Sequence, residues 1–117
     1  MPLPDDAFVV RGGVATPRQL QWGVAEHAAV RGLVGFSVQS AEGKSVNELA
    51  RAGRIPNRQI SVATVGAVRG LGLDVVASPG IGFHATLTSP APLPLAVAEA
   101  LSRVLVVRAN PHRQRHP

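Results

Sequence analysis

Cysteine is absent from the 117 residues, which excludes a disulfide framework, a thiol nucleophile and cysteine-bound zinc. Aromatic residues make up only 3%, so a core must be assembled in small increments from Val, Leu, Ile and Ala. Trp22, Phe8, Phe36 and Phe83 are each expected to anchor a layer of it. No apolar run approaches the roughly 20 residues that cross a bilayer. The start, Met1-Pro2-Leu3-Pro4-Asp5-Asp6, is acidic and proline-rich, the opposite of a signal peptide, so a cytoplasmic protein with no membrane partner is the expectation. Neither a P-loop nor a GxGxxG fingerprint is present, and Gly80-Ile81-Gly82 alone means little. His112 and His116 lie in the tail, and no His/carboxylate spacing matches a zinc site, so no metal is expected.

Lysine is nearly missing as well: Lys44 is the only one among twelve Lys+Arg, which against seven Asp+Glu give a formal net charge of +5. Arginine forks match phosphate and carboxylate oxygens in pairs, which favours a nucleic acid, a dinucleotide or an acidic protein as partner. An Ala-, Val-, Gly- and Arg-rich composition is also what a GC-rich bacterial coding sequence produces.

The length fits one domain with a single core. Phe8-Val9-Val10 reads as a buried strand, ended by Arg11 and opened by Gly12-Gly13. Thr16-Pro17 reads as an N-cap followed by proline at the first helical position, starting a helix to about Val30 that buries Leu20, Val24 and Ala28 before Gly32 stops it. Residues 33–40 alternate as a second strand, and Ser45-Val46-Asn47-Glu48 fits a capping box that starts a short helix through Ala52. Arg54 to Arg58 form a basic loop. Strands follow at 59–63, 73–77 and 83–88, with Thr64 capping a short helix at 65–71 and the turn Ser78-Pro79-Gly80 between the last two strands. The Pro90, Pro92 and Pro94 segment leads into a final helix, 95–105. The expected fold is α+β: a single compact domain over residues 1–107, with about five mostly antiparallel strands and three or four short helices, and a basic disordered tail over 108–117.

Two places carry chemistry. Arg11 stands at the mouth of the core beside the bare backbone of Gly12 and Gly13, a suitable grip for a phosphate. A partly buried arginine needs an anion, and an ion pair with Asp74 or Glu48 is the structural alternative. His84 and Thr86 share one face of a strand, where imidazole and hydroxyl can act on one ligand as a general acid/base pair; a satisfied structural histidine is the alternative. The single His84-Ala85-Thr86-Leu87 matches half of a two-histidine phosphoesterase, but His27, the only other internal histidine, sits on a helix and cannot supply the second motif. Ser37 lies opposite Phe36 and Val38, on a pocket wall or on the wet face of the sheet.

Taken in order, the strand ending Arg11-Gly12-Gly13, then Gly35-Phe36-Ser37-Val38, then Phe83-His84-Ala85-Thr86-Leu87 resemble the compact bacterial ADP-ribosyltransferase-like toxin domains, such as those at the tails of Rhs proteins. The resemblance spans residues 7 to 88 and rests on short motifs. It implies NAD as the cofactor, bound by Arg11, Gly12 and Ser37, with His84 and Thr86 as catalytic residues on a later strand near the reacting ribose. It also implies a protein or RNA target and a cognate antitoxin or immunity protein. Members of that group carry a glutamate on a late strand; here none lies between Glu48 and Glu99, and Asp74 is the only carboxylate in that interval. The rival enzyme is a metal-independent ribonuclease toxin, with His84 as general acid or base and Arg11 with Lys44 or Arg58 steadying the phosphate. The third class is a non-enzymatic interaction module. Both enzyme readings require Arg11 and His84 to share a pocket.

Overall fold

Short strands and short helices follow one another along the chain, β1 ending at Gly12 and β3 at the helix cap Thr64. In the computed structural model, which describes residues 2–22, 35–89 and 92–112, the order is β1 (Phe8–Gly12), α1 (17–22), β2 (Gly35–Gln39), α2 (Val46–Ala52), β3 (Gln59–Thr64), α3 (Val65–Arg69), β4 (Asp74–Ala77), β5 (His84–Thr88), α4 (Leu95–Val104) and β6 (Val106–Ala109). The strands form one sheet in the order β4-β5-β2-β1-β3-β6, antiparallel throughout. The α+β class and the five expected strands are therefore found, and a sixth is added. Val24, Ala28 and Gly32 of the first helix lie outside the described residues.

The sixth strand corrects the expected boundary at residue 107. Arg108 and Ala109 pair with Ile60 and Gln59, and Asn110 is fully buried, so the domain runs on to at least residue 112. All four β6 residues are exposed, so no burial alternation marks them in the sequence; backbone pairing to β3 holds them. The expected disorder of 113–117 lies outside the described residues.

Local signals account for the helix starts. Thr16 Oγ1 accepts from the Gln19 amide at 3.3 Å and Gln19 Oε1 accepts from the Thr16 amide at 3.4 Å. Ser45 and Glu48 make the same reciprocal exchange at 3.1 and 3.0 Å. The Glu48 carboxyl is held below its ordinary pKa by the Ser45 hydrogen bonds, with help from Lys44 and Arg51. Ser45→Ala is expected to cost about 1 kcal/mol, read as a lower urea midpoint at unchanged m-value.

The sheet buries both faces. Val9, Phe36, Val38, Ala63, Val75, Ala85 and Leu87 point to the side packed by Leu20 of α1, Val65 and Val68 of α3, and Ala98 and Leu101 of α4. Val10, Ile60 and Val62 point to the other side, where Val46, Leu49 and Ala50 of α2 cover them. α2 covers only part of this second face. Beyond it lie the polar side chains of β2 and β5 on one flank and the exposed Phe8 and Val106 on the other. Of the four aromatics expected to anchor layers, Phe36 alone is fully buried; Trp22 is 66% exposed, and Phe8 stands where the face covered by α2 at Val10 is open.

Candidate functional site

The three motif-bearing strands are neighbours, in the order β5-β2-β1. β2 meets β5 over five register pairs and β1 meets β3 over five, but β1 and β2 are joined at one pair only, Val10↔Gln39. The sheet is thus open between its two central strands beyond Val10. Strand alternation sends Arg11 to the Phe36 face and His84 to the opposite one, and the opening is where they meet. A cavity of about 100 Å³ there is lined by Arg11, Gly12, Ser37, Gln39, Ile55 and His84, among others.

Arg11 reaches across this opening. Its Nη1 donates to the Ser37 carbonyl at 3.2 Å, and the guanidinium lies 5.1 Å from the Phe36 ring centroid. Burial alone pushes its pKa down. Both carboxylates that the sequence offered as partners are engaged elsewhere. Asp74 accepts from Arg69 Nε at 2.9 Å, and Glu48 stands 4.0 Å from Lys44. No carboxylate pairs with Arg11 among the described residues. A half-buried cation with a carbonyl and a ring face for company is under-compensated and attracts an anion.

Gly12 and Gly13 do more than stop β1. A β-carbon on Gly12 would overlap the Asn57 side chain, so the loop at 55–57 closes against bare backbone and brings Ile55 into the cavity wall. Ser61 Oγ fixes the Gly13 carbonyl at 2.8 Å, where φ is +84°.

On β5, His84 Nδ1 lies 2.8 Å from Ser78 Oγ, which lies 2.9 Å from Thr86 Oγ1. His84 and Thr86 are thus joined through a third residue. Thr86 is buried behind Ser78 and is not among the residues lining the cavity. Gln39 holds the preceding loop by both ends of its amide: Nε2 donates to the Ile81 carbonyl at 3.0 Å, and Oε1 accepts from the Phe83 amide at 2.8 Å. Sequence reasoning missed Gln39 and Ser78. The signal available was the alternation that puts Gln39 on the polar side of β2 with Ser37.

The structure therefore brings Arg11, Gly12, Ser37 and His84 to one cavity, with Thr86 one hydroxyl away. Lys44 does not join them; it stands 5.3 Å from the Phe83 ring and lines a separate depression with Asp6, Phe8 and Glu48. Among the described residues no group of three His, Asp or Glu is placed to hold a metal ion, and no helix is long and apolar enough to cross a membrane.

At the far end of β4, the Arg69 pair and the Val75 amide hold the Asp74 carboxyl below its ordinary range. A depressed carboxylate stabilises the fold fully above the unfolded value of about 3.9 and loses that contribution as pH falls through the lower folded value. The group is exposed, so salt weakens the effect. Asp74→Asn is expected to flatten the acid limb of the pH–stability curve, most visibly at low ionic strength.

Comparison with family models, with curated proteins and with solved structures found no match.

Proposed function

We propose that this protein is a small toxin-like ADP-ribosyltransferase that takes NAD in the Arg11–His84 cavity and modifies a protein or RNA target in the cytoplasm, with a cognate antitoxin or immunity protein restraining it. The observation that carries the reading is Arg11: a desolvated cation, without a carboxylate partner among the described residues, on the wall of a cavity that His84 also lines. The adjacency of the three strands named by the resemblance supports it further.

The residues present fit the phosphate part of NAD. Arg11 supplies a charged fork and Gly12 bare backbone, and Ser37 lines the same cavity. A cavity of about 100 Å³ would hold only the phosphate end of the molecule. When bound, NAD supplies the ADP-ribosyl group to be transferred. Arg11 binds and orients the anionic end, and His84 stands at the start of β5 to meet an oxygen of the ligand or the acceptor. Among the described lining residues there is no carboxylate, so on this reading His84, with the hydroxyls behind it, would take the role that glutamate has in the resembling transferases.

NAD at about a hundred times its Kd adds about 2.7 kcal/mol to stability, a rise of roughly 10 °C in Tm for a domain of this size. That rise in wild type, and its loss in Arg11→Ala, is the expected result; no rise in wild type overturns the reading.

The lack of a lining carboxylate also favours a second reading, a metal-independent ribonuclease with His84 as its acid. RNA cut to 2′,3′-cyclic phosphate ends by wild type but not by His84→Ala would select it. Neither NAD protection nor RNA cleavage would leave an interaction module, in which both substitutions change stability alone.

A further inference from the structure

We propose that Ser78 is a positioning residue that sets the tautomer of the neutral His84 ring, with the proton on Nε2, so that the neutral imidazole meets a ligand as a hydrogen-bond donor and not as a base. This deepens the reading of the cavity given above and rests on it for its functional consequence.

The argument is an accounting of hydrogens. Ser78 Oγ lies between His84 Nδ1 at 2.8 Å and Thr86 Oγ1 at 2.9 Å, and its hydroxyl has one hydrogen to give. Suppose Nδ1 carried the ring proton. It would donate to Ser78, and three hydrogens would then share two contacts: either the Thr86 hydrogen is left over or, if Thr86 also donates to Ser78, the Ser78 hydrogen is, with no acceptor among the described residues. Thr86 is only 4% exposed, and its hydroxyl has no other partner among the described residues. A buried donor without an acceptor is the costlier arrangement. Run the other way, Thr86 donates to Ser78 and Ser78 donates to Nδ1, and every hydrogen has an acceptor. The ring proton then sits on Nε2, the nitrogen left for a ligand.

The surroundings hold the ring in that pose. A β-carbon on Gly80 would come within 2.5 Å of His84 Cγ, so the bare Gly80 backbone packs on the imidazole. Gln39 fastens the same loop at Ile81 and Phe83. With Arg11 on the same cavity, the site offers two donors and suits a ligand whose contacting atoms are acceptors, such as phosphate or ribose oxygens.

The full chain labelled with ¹⁵N-histidine tests this by long-range ¹H–¹⁵N correlation in alkaline solution, where imidazole is neutral, with His84→Gln assigning the signal. Wild type is expected to show a pyrrole-type Nε2 and a pyridine-type Nδ1. In Ser78→Ala the two shifts move toward each other, and Ser78→Thr restores them. NAD affinity, read by thermal shift, is expected to fall about fivefold in Ser78→Ala. A proton on Nδ1 in wild type overturns the proposal, as do unchanged shifts in a folded Ser78→Ala. Should that variant not fold, Thr86→Val, which removes the first donor of the relay, is expected to give the same drift, and unchanged shifts there overturn it as well. The tautomer is read without ligand, so NAD failing to bind wild type would sink the transferase reading and leave this result standing.

Discussion

Arg11→Met is expected to weaken NAD and phosphate binding by about ten- to a hundredfold and, at the same time, to raise the melting temperature. The two effects have one cause. The guanidinium is desolvated without a carboxylate beside it, and its compensation is one 3.2 Å bond to the Ser37 carbonyl and the Phe36 ring at 5.1 Å. Those contacts are worth about 1 kcal/mol each. Replacing buried ionic groups by apolar side chains of similar volume ranges from neutral to a gain of about 1–4 kcal/mol, and a lone, half-buried arginine belongs at the lower end. A net gain near 1 kcal/mol corresponds to about 4 °C for a domain of this size. On the binding side, a charged hydrogen bond contributes about 1.5–3 kcal/mol, a loss of about ten- to a hundredfold in affinity. Thermal unfolding with and without NAD reads both quantities. A drop in Tm with unchanged protection would make Arg11 a structural residue and remove the basis of the proposed function.

Asn110→Ala is expected to cost about 2–4 kcal/mol and to open the cavity wall from a distance. The Asn110 side chain is fully buried, and its Nδ2 donates to the carbonyls of Ile55 and Asn57 at 3.0 and 2.8 Å. Its Oδ1 accepts from the His112 amide at 3.0 Å. The loop it clamps needs holding: Arg54 enters it at φ +53°, a left-handed conformation costing a residue with a β-carbon about 1 kcal/mol. The same loop carries Ile55 into the cavity and packs Asn57 against Gly12. Denaturant unfolding should show the lost stability, and NAD protection should fall beyond what that loss explains. Protection that survives in full would separate the clamp from the site.

How much of this was legible beforehand follows the range of the forces involved. Helix caps at Thr16, Ser45 and Thr64 are exchanges within three residues, so their spacing is written in the sequence. The five strands with buried residues show it by an apolar run, as at Phe8-Val9-Val10, or by alternation, as over 35–39. β6 buries nothing, takes its hydrogen bonds from β3 more than forty residues earlier, and so left no periodic mark. The site divides likewise. Arg11, Ser37 and His84 could be named because each departs from an apolar strand pattern. Ser78 and Gln39 act on partners brought by folding, and a serine in a turn or a glutamine in a strand looks ordinary until that partner is known. Size alone argues for burial of Trp22, but α1 turns Leu20 to the core and leaves Trp22 exposed.

The single register pair between β1 and β2 has a mechanical consequence. It divides the sheet into two three-stranded leaves, β4-β5-β2 and β1-β3-β6, each well laced within itself. Arg11 belongs to one leaf and His84 to the other, so a ligand held by both acts as a clasp across the spine. Binding should then register as stiffness: backbone amides along the spine at Gly12 and Ser37 exchange their hydrogens more slowly, while those of the outer strands keep their rate. Compliance placed at the spine lets the site open without disturbing either leaf.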